Sequence, residues 1–148
     1  MTQRIDIAKL APEAYRGFLA VEAYMHGSDL PAATIELVKL RASQINGCGY
    51  CVHMHSGDMK KAGESDERLW SVAAWREATV FTPAERAALA LTEEATRLAD
   101  RGEAVPDEVW KQAAEHYDDK QLAALVVSVA MINAWNRIGV TARLVPGT

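Results

Sequence analysis

The stretch from Leu122 to Trp135 is apolar at almost every position, broken only by Ser128 and Asn133. A helix made from it has no polar side to turn toward water, so it belongs at the centre of a fold or between subunits. Its purely apolar part, Leu122 to Ile132 around Ser128, is too short to span a bilayer. Asp118 or Asp119 caps the segment, with Gln121 three residues after the former. Such an element needs other helices around it, and the rest of the chain carries their start and stop signals.

Pro12 opens a segment with Tyr15, Phe18, Leu19 and Met25 at helical spacing, and Gly27-Ser28-Asp29 ends it. Pro31 opens a second, with Ile35, Val38, Ala42 and Ile45 as its apolar stripe, running to Asn46-Gly47. A third begins near Cys48 and stops at Gly63, after Lys60 and Lys61 in its last turn. Ser65 caps Asp66 to Arg76, and Thr82-Pro83-Ala84-Glu85 is a capping box that starts a helix closed by Gly102. Pro106 starts Asp107 to Tyr117. No stretch alternates with period two. The expectation is an all-α bundle of about six or seven helices, a single domain over residues 1–148.

With 148 residues and 49% hydrophobic content, the chain can bury a core without staples. A net charge of −4 and the lack of a basic block argue against nucleic-acid or anionic-membrane partners. The first residues, Met1 to Tyr15, lack the apolar core of a signal peptide, so a cytoplasmic location is expected.

In a reducing compartment two cysteines point to catalysis or metal rather than to a structural bridge. Cys48 and Cys51 are the only two, and they form one CxxC with His55 following four residues after the second. On a helix these three side chains share one face. A dithiol with an imidazole one turn away is equipped for thiol redox chemistry, the imidazole exchanging the proton. Glu36 would lie about 18 Å from Cys48 along one straight helix. If the chain turns back at Gly47, Glu36 lies about 16 Å up one helix and His55 about 12 Å up its antiparallel neighbour. The carboxylate could then orient the imidazole and raise its basicity. The competing reading leaves Glu36 solvated.

Zinc is the rival for the cysteines, because Cys48, Cys51, His53 and His55 offer four candidate ligands in eight residues. On a helix, however, His53 points away from the other three, no further cysteine exists, and His26 and His116 stand alone. No metal and no cofactor are therefore expected. Trp70, Trp75, Trp110 and Trp135 suit core or interface positions. Asn133, Asn136 and Arg137 follow the apolar run, where a buried Arg needs a partner, and a structural network is the favoured reading.

These residues carry a family resemblance. Glu36, Cys48-Gly49-Tyr50-Cys51 and His55, with Leu40-Arg41-Ala42-Ser43-Gln44-Ile45-Asn46-Gly47, resemble the alkylhydroperoxidase D-like family of the carboxymuconolactone decarboxylase superfamily. Phe81 to Arg86 and Ile132 to Arg137 resemble it as well, so the likeness runs over about residues 12 to 146. It implies an all-α fold, homo-oligomers (often hexamers built from dimers) and thiol-dependent reduction of a peroxide substrate. It implies that Cys48 and Cys51 are the redox pair, recharged by an external dithiol such as a lipoyl or thioredoxin-like protein, with Glu36 and His55 relaying protons. The chain departs from the best-known peroxidases at Tyr50, where they carry a His between the cysteines; an unperturbed phenol does not shuttle protons at neutral pH. A decarboxylase-like acid–base enzyme and a metal-binding or structural oligomer remain alternatives. Within the redox reading Cys51 is favoured as the attacking sulfur because His55 follows it. Cys48, at the helix start, is expected to be more open to solvent and to a reductant. The reverse order stays open.

Overall fold

The computed structural model describes residues 2–147. Among them the chain forms eight α-helices and no strand: α1 (Ile7–Leu10), α2 (Pro12–His26), α3 (Ala32–Asn46), α4 (Gly49–Lys61), α5 (Asp66–Ser71), α6 (Pro83–Thr96), α7 (Asp107–Ala114) and α8 (Asp119–Ala142). A 3-10 turn, Val72–Ala74, continues α5. The fold is all-α as expected, with the short α1 as an addition to the expected set.

The capping signals act where the sequence puts them. Thr82 and Glu85 exchange side-chain-to-amide hydrogen bonds of 3.2 and 2.8 Å, and Asp118 and Gln121 do the same at 2.8 and 3.1 Å. Three C-terminal boundaries differ from expectation. α6 ends at Thr96 rather than Gly102, because Thr96 is its last buried residue and Leu98 beyond it is exposed. α5 tightens into the 3-10 turn, which lets Val72 and Trp75 both face the core. α7 stops at Ala114, and Tyr117 instead buries its ring and donates its hydroxyl to the Ala84 carbonyl.

Two apolar clusters hold the bundle. Ile35 and Val38 of α3 join Met25, Leu91, Leu125 and Val129, while Leu37 and Leu40 join Met59, Val72, Trp75 and Leu89. α3 thus sends alternate residues into two cores and is packed by α4, α6 and α8. It shares the centre with α8, which α2, α3, α4, α6 and α7 contact. Because α8 continues to Ala142, well past the apolar run, it is long and apolar enough to cross a membrane by length and composition. Here it serves as a bundle helix, and it leaves Ala123, Val126, Ala130 and Val140 exposed. Of the tryptophans only Trp75 is fully buried; Trp135 is half-buried, Trp110 is exposed, and Trp70 is 78% exposed, so a core role for the last two is corrected.

Polar residues pin α3 to α8. Asn136 donates to Ser43 Oγ at 2.9 Å, Asn46 donates to Asn136 and Asn133 at 2.9 and 3.0 Å, and Asn133 donates to Thr96 Oγ1 at 3.1 Å. The expected network is present for the asparagines. Arg137 is different from the buried cation anticipated: it is exposed and donates to the Asn133 carbonyl one turn back. Replacing Asn136 by Ala removes two hydrogen bonds at a buried junction, one to Ser43 and one from Asn46, so thermal or denaturant unfolding should show a loss of about 1–3 kcal/mol.

Candidate active site

Gly47 ends α3 in the left-handed conformation, φ +67°, where a residue without a Cβ is favoured. The amides of Gly47 and Cys48 close on the carbonyls of Gln44 and Ser43, and the chain reverses into α4. Cys48 is the residue capping α4, its sulfur accepting the Cys51 amide at 3.3 Å. That position places Cys48 in the positive field of the helix start. Cys48 and Cys51 are joined as a disulfide with Cα atoms 5.3 Å apart.

The reversal lays α4 beside α3, and His55 Nδ1 meets Glu36 Oε2 at 2.8 Å. The solvated alternative for Glu36 is thereby set aside. Burial pushes the Glu36 carboxyl up, but the hydrogen bond to His55, then the charges of His55, Lys39 and His26, outweigh it, leaving its pKa below the ordinary carboxylate value. Cys51, His55 and Glu36 line one cavity of about 380 Å³, together with Tyr50, Leu19, Met54 and Trp135. His53 is exposed and lies outside that lining, as helical spacing requires. Among the described residues, no group of three or more His, Cys, Asp or Glu side chains is arranged to hold a metal ion.

One expectation is corrected. Cys48 is no more open than its partner: it is 1% exposed against 3% for Cys51, and of the two only Cys51 borders the cavity. The covering group is α8. Gly139 is packed so closely that a Cβ there would stand 2.8 Å from Cys48 Sγ and 3.5 Å from Cys51 Sγ. Cys51 is therefore the sulfur that the cavity reaches.

Sequence reasoning missed Gly139, Lys39 and Glu22. Lys39 is buried and its Nζ lies 2.6 Å from Glu22 Oε2 and 3.7 Å from Glu36 Oε1. The Glu36/Lys39 spacing of one helical turn was a readable signal. Glu22, on α2, and Gly139, on α8, carry no local signal, because their importance comes only from tertiary packing.

Comparison with known proteins places the fold. Residues 12–94 match the model of the carboxymuconolactone decarboxylase family. The chain is 39% identical over 140 residues to the uncharacterised protein YdfG of Bacillus subtilis, covering 95% of this chain and 94% of that one. A crystal structure of a protein of unknown function from Agrobacterium tumefaciens, which carries the suggested designation antioxidant defence protein AhpD, superposes with a TM-score of 0.93. It is 37% identical, with 99% of each chain covered. The alkylhydroperoxidase AhpD core of a peroxidase-related protein from Ralstonia eutropha shares the fold at a TM-score of 0.81 and 20% identity, covering 95% of this chain and 74% of that one. This is an alkylhydroperoxidase D-like chain, and it belongs to the carboxymuconolactone decarboxylase family.

Gly139→Ala should test the packing of the sulfurs. Alanine is the better helix former, so propensity alone predicts a gain of up to about 1 kcal/mol. The contact with Cys48 predicts a net loss of about 1–3 kcal/mol in unfolding measurements instead. A raised melting temperature would contradict the close packing.

Proposed function

We propose that the protein is a thiol-dependent peroxidase that reduces alkyl or hydrogen peroxides through a Cys48–Cys51 dithiol/disulfide cycle. The observation that supports this most is the convergence of Cys51, His55 and Glu36 on one cavity, with the imidazole held by the carboxylate at 2.8 Å. In the reduced protein His55, oriented by Glu36, takes the Cys51 proton. The thiolate attacks the terminal peroxide oxygen, the O–O bond breaks, and Cys51 becomes a sulfenic acid. The leaving alkoxide takes a proton from His55 and departs as alcohol, or as water when the substrate is hydrogen peroxide. Cys48, its thiolate favoured by the start of α4, attacks the Cys51 sulfur; the S–O bond breaks and hydroxide leaves as water with the Cys48 proton. An external dithiol, lipoyl or thioredoxin-like, attacks the accessible Cys51 sulfur and restores both thiols by exchange. Acid–base decarboxylation, the other reaction of the superfamily, gives this disulfide-forming pair no task.

Two variants test the scheme. Cys48→Ser keeps the attacking thiol but cannot resolve its product, so a sulfenic-acid probe should label Cys51 and excess peroxide should carry it to the sulfinic acid. Probe labelling of Cys48 in Cys51→Ser at the native rate would reverse the order. Glu36→Gln should slow the thiol reaction by about ten- to a thousandfold without unfolding the chain.

The same reading includes self-association. Leu98, Trp110 and Val126 are exposed around a second groove that also takes in Val105 and Ala130. An apolar groove of this kind suits burial between copies. Sedimentation at micromolar concentration should show an oligomer that Val126→Glu dissociates; a stable native monomer would refute this.

A further inference from the structure

The Glu36–His55 pair has a second layer of charge behind it. Lys39, one turn after Glu36 on α3, is 2% exposed, and its ammonium is surrounded by Glu22 at 2.6 Å, His26 at 3.4 Å and Glu36 at 3.7 Å. Glu22 is itself fixed, because its other oxygen accepts the Trp135 indole N–H at 2.9 Å. An ammonium buried this deeply needs a carboxylate partner, and Glu22 supplies it at the shorter distance. Glu36 is therefore released for His55: one oxygen takes the imidazole and the other faces the ammonium.

The charge around the cavity makes that arrangement consequential. α2 contributes Glu22 and His26, α3 contributes Glu36 and Lys39, α4 contributes His55 and Asp58, and Asp6 precedes α1. Tyr15 and Tyr50 also face the space, and α8 presents the neutral Trp135. Lys39 is the one lysine or arginine among the described residues lining this cavity, set against four carboxylates. Clustered carboxylates drive one another toward protonation, and a protonated Glu36 gives His55 no support.

We propose that Lys39, anchored by Glu22, is a positioning residue that keeps Glu36 ionised and aligned on His55, and so sets the pH at which the reactive thiol begins to lose its proton. This inference rests on Cys51, His55 and Glu36 forming the thiol-activating site. It assigns Lys39 no contact with substrate; its effect passes through Glu36.

The test reads thiolate formation directly, by the rate at which iodoacetamide alkylates the reduced full-length protein across pH. Glu36 is held below its ordinary value partly by Lys39, so removing the ammonium lets the carboxyl take up its proton at higher pH. The acid limb of the profile should then move to higher pH. Lys39→Met should alkylate about tenfold more slowly than the native protein near pH 5, yet within about twofold of it near pH 8. Lys39→Arg should restore the native limb. Glu22→Gln leaves Glu36 as the nearest carboxylate to the ammonium and should move the limb the opposite way. Equal slowing of Lys39→Met at every pH, or an unmoved limb in Glu22→Gln, would overturn the proposal; the latter serves alone should Lys39→Met not fold. A native protein that shows this alkylation profile but keeps its thiols when given cumene hydroperoxide would refute the peroxidase reading, while the shifts among variants still decide the role of Lys39.

Discussion

Gly47 reverses the chain in a left-handed backbone conformation that costs a residue bearing a Cβ about 1–2 kcal/mol. Everything at the site follows from that reversal. It makes α3 and α4 antiparallel neighbours, sets Cys48 at the start of α4, and brings Glu36 from far back in the sequence to 2.8 Å from His55. The asparagine network joining α3 to α8 lies just before the turn and fixes where it occurs. α8 in turn presses Gly139 against the sulfurs, so turn, network and close packing act on the same few ångströms.

That packing gives the two cysteines unequal surroundings. Cys48 takes the field of the helix start but is sealed by α8. Cys51 faces the cavity with the imidazole. A helix terminus and an imidazole are two separate ways to stabilise a thiolate; Cys48 sits at the first, and Cys51 shares its cavity with the second. The division suits a scheme in which one sulfur meets substrate and the other resolves the product from behind.

How much of this could be read from the sequence depended on whether the signal was local. The capping boxes at Thr82 and Asp118, the glycine stops at Gly27, Gly47 and Gly63, and the one-turn spacing that puts Cys51 and His55 on one cavity are local, and the structure has them. The Glu36–His55 approach could be reasoned out because a glycine marked the reversal. The α5, α6 and α7 ends could not, since they are set by where burial stops or by a tertiary bond such as that of Tyr117 to Ala84. The exposure of Cys48 was misjudged for the same reason: the sealing group comes from Gly139, far along the chain. Glu22 reaches Lys39 across a helix boundary, and a single charged residue on a half-buried helix gives no sign of that.

In the proposed cycle the two thiols act as a pair on a peroxide bond. Counting free thiols in the reduced protein before and after one equivalent of an organic hydroperoxide tests it most directly, with the product examined by mass spectrometry. Two thiols per chain should disappear together, with Cys48 and Cys51 found in one intramolecular disulfide and one equivalent of alcohol released. Undiminished thiols after exposure to both an alkyl hydroperoxide and hydrogen peroxide would contradict it.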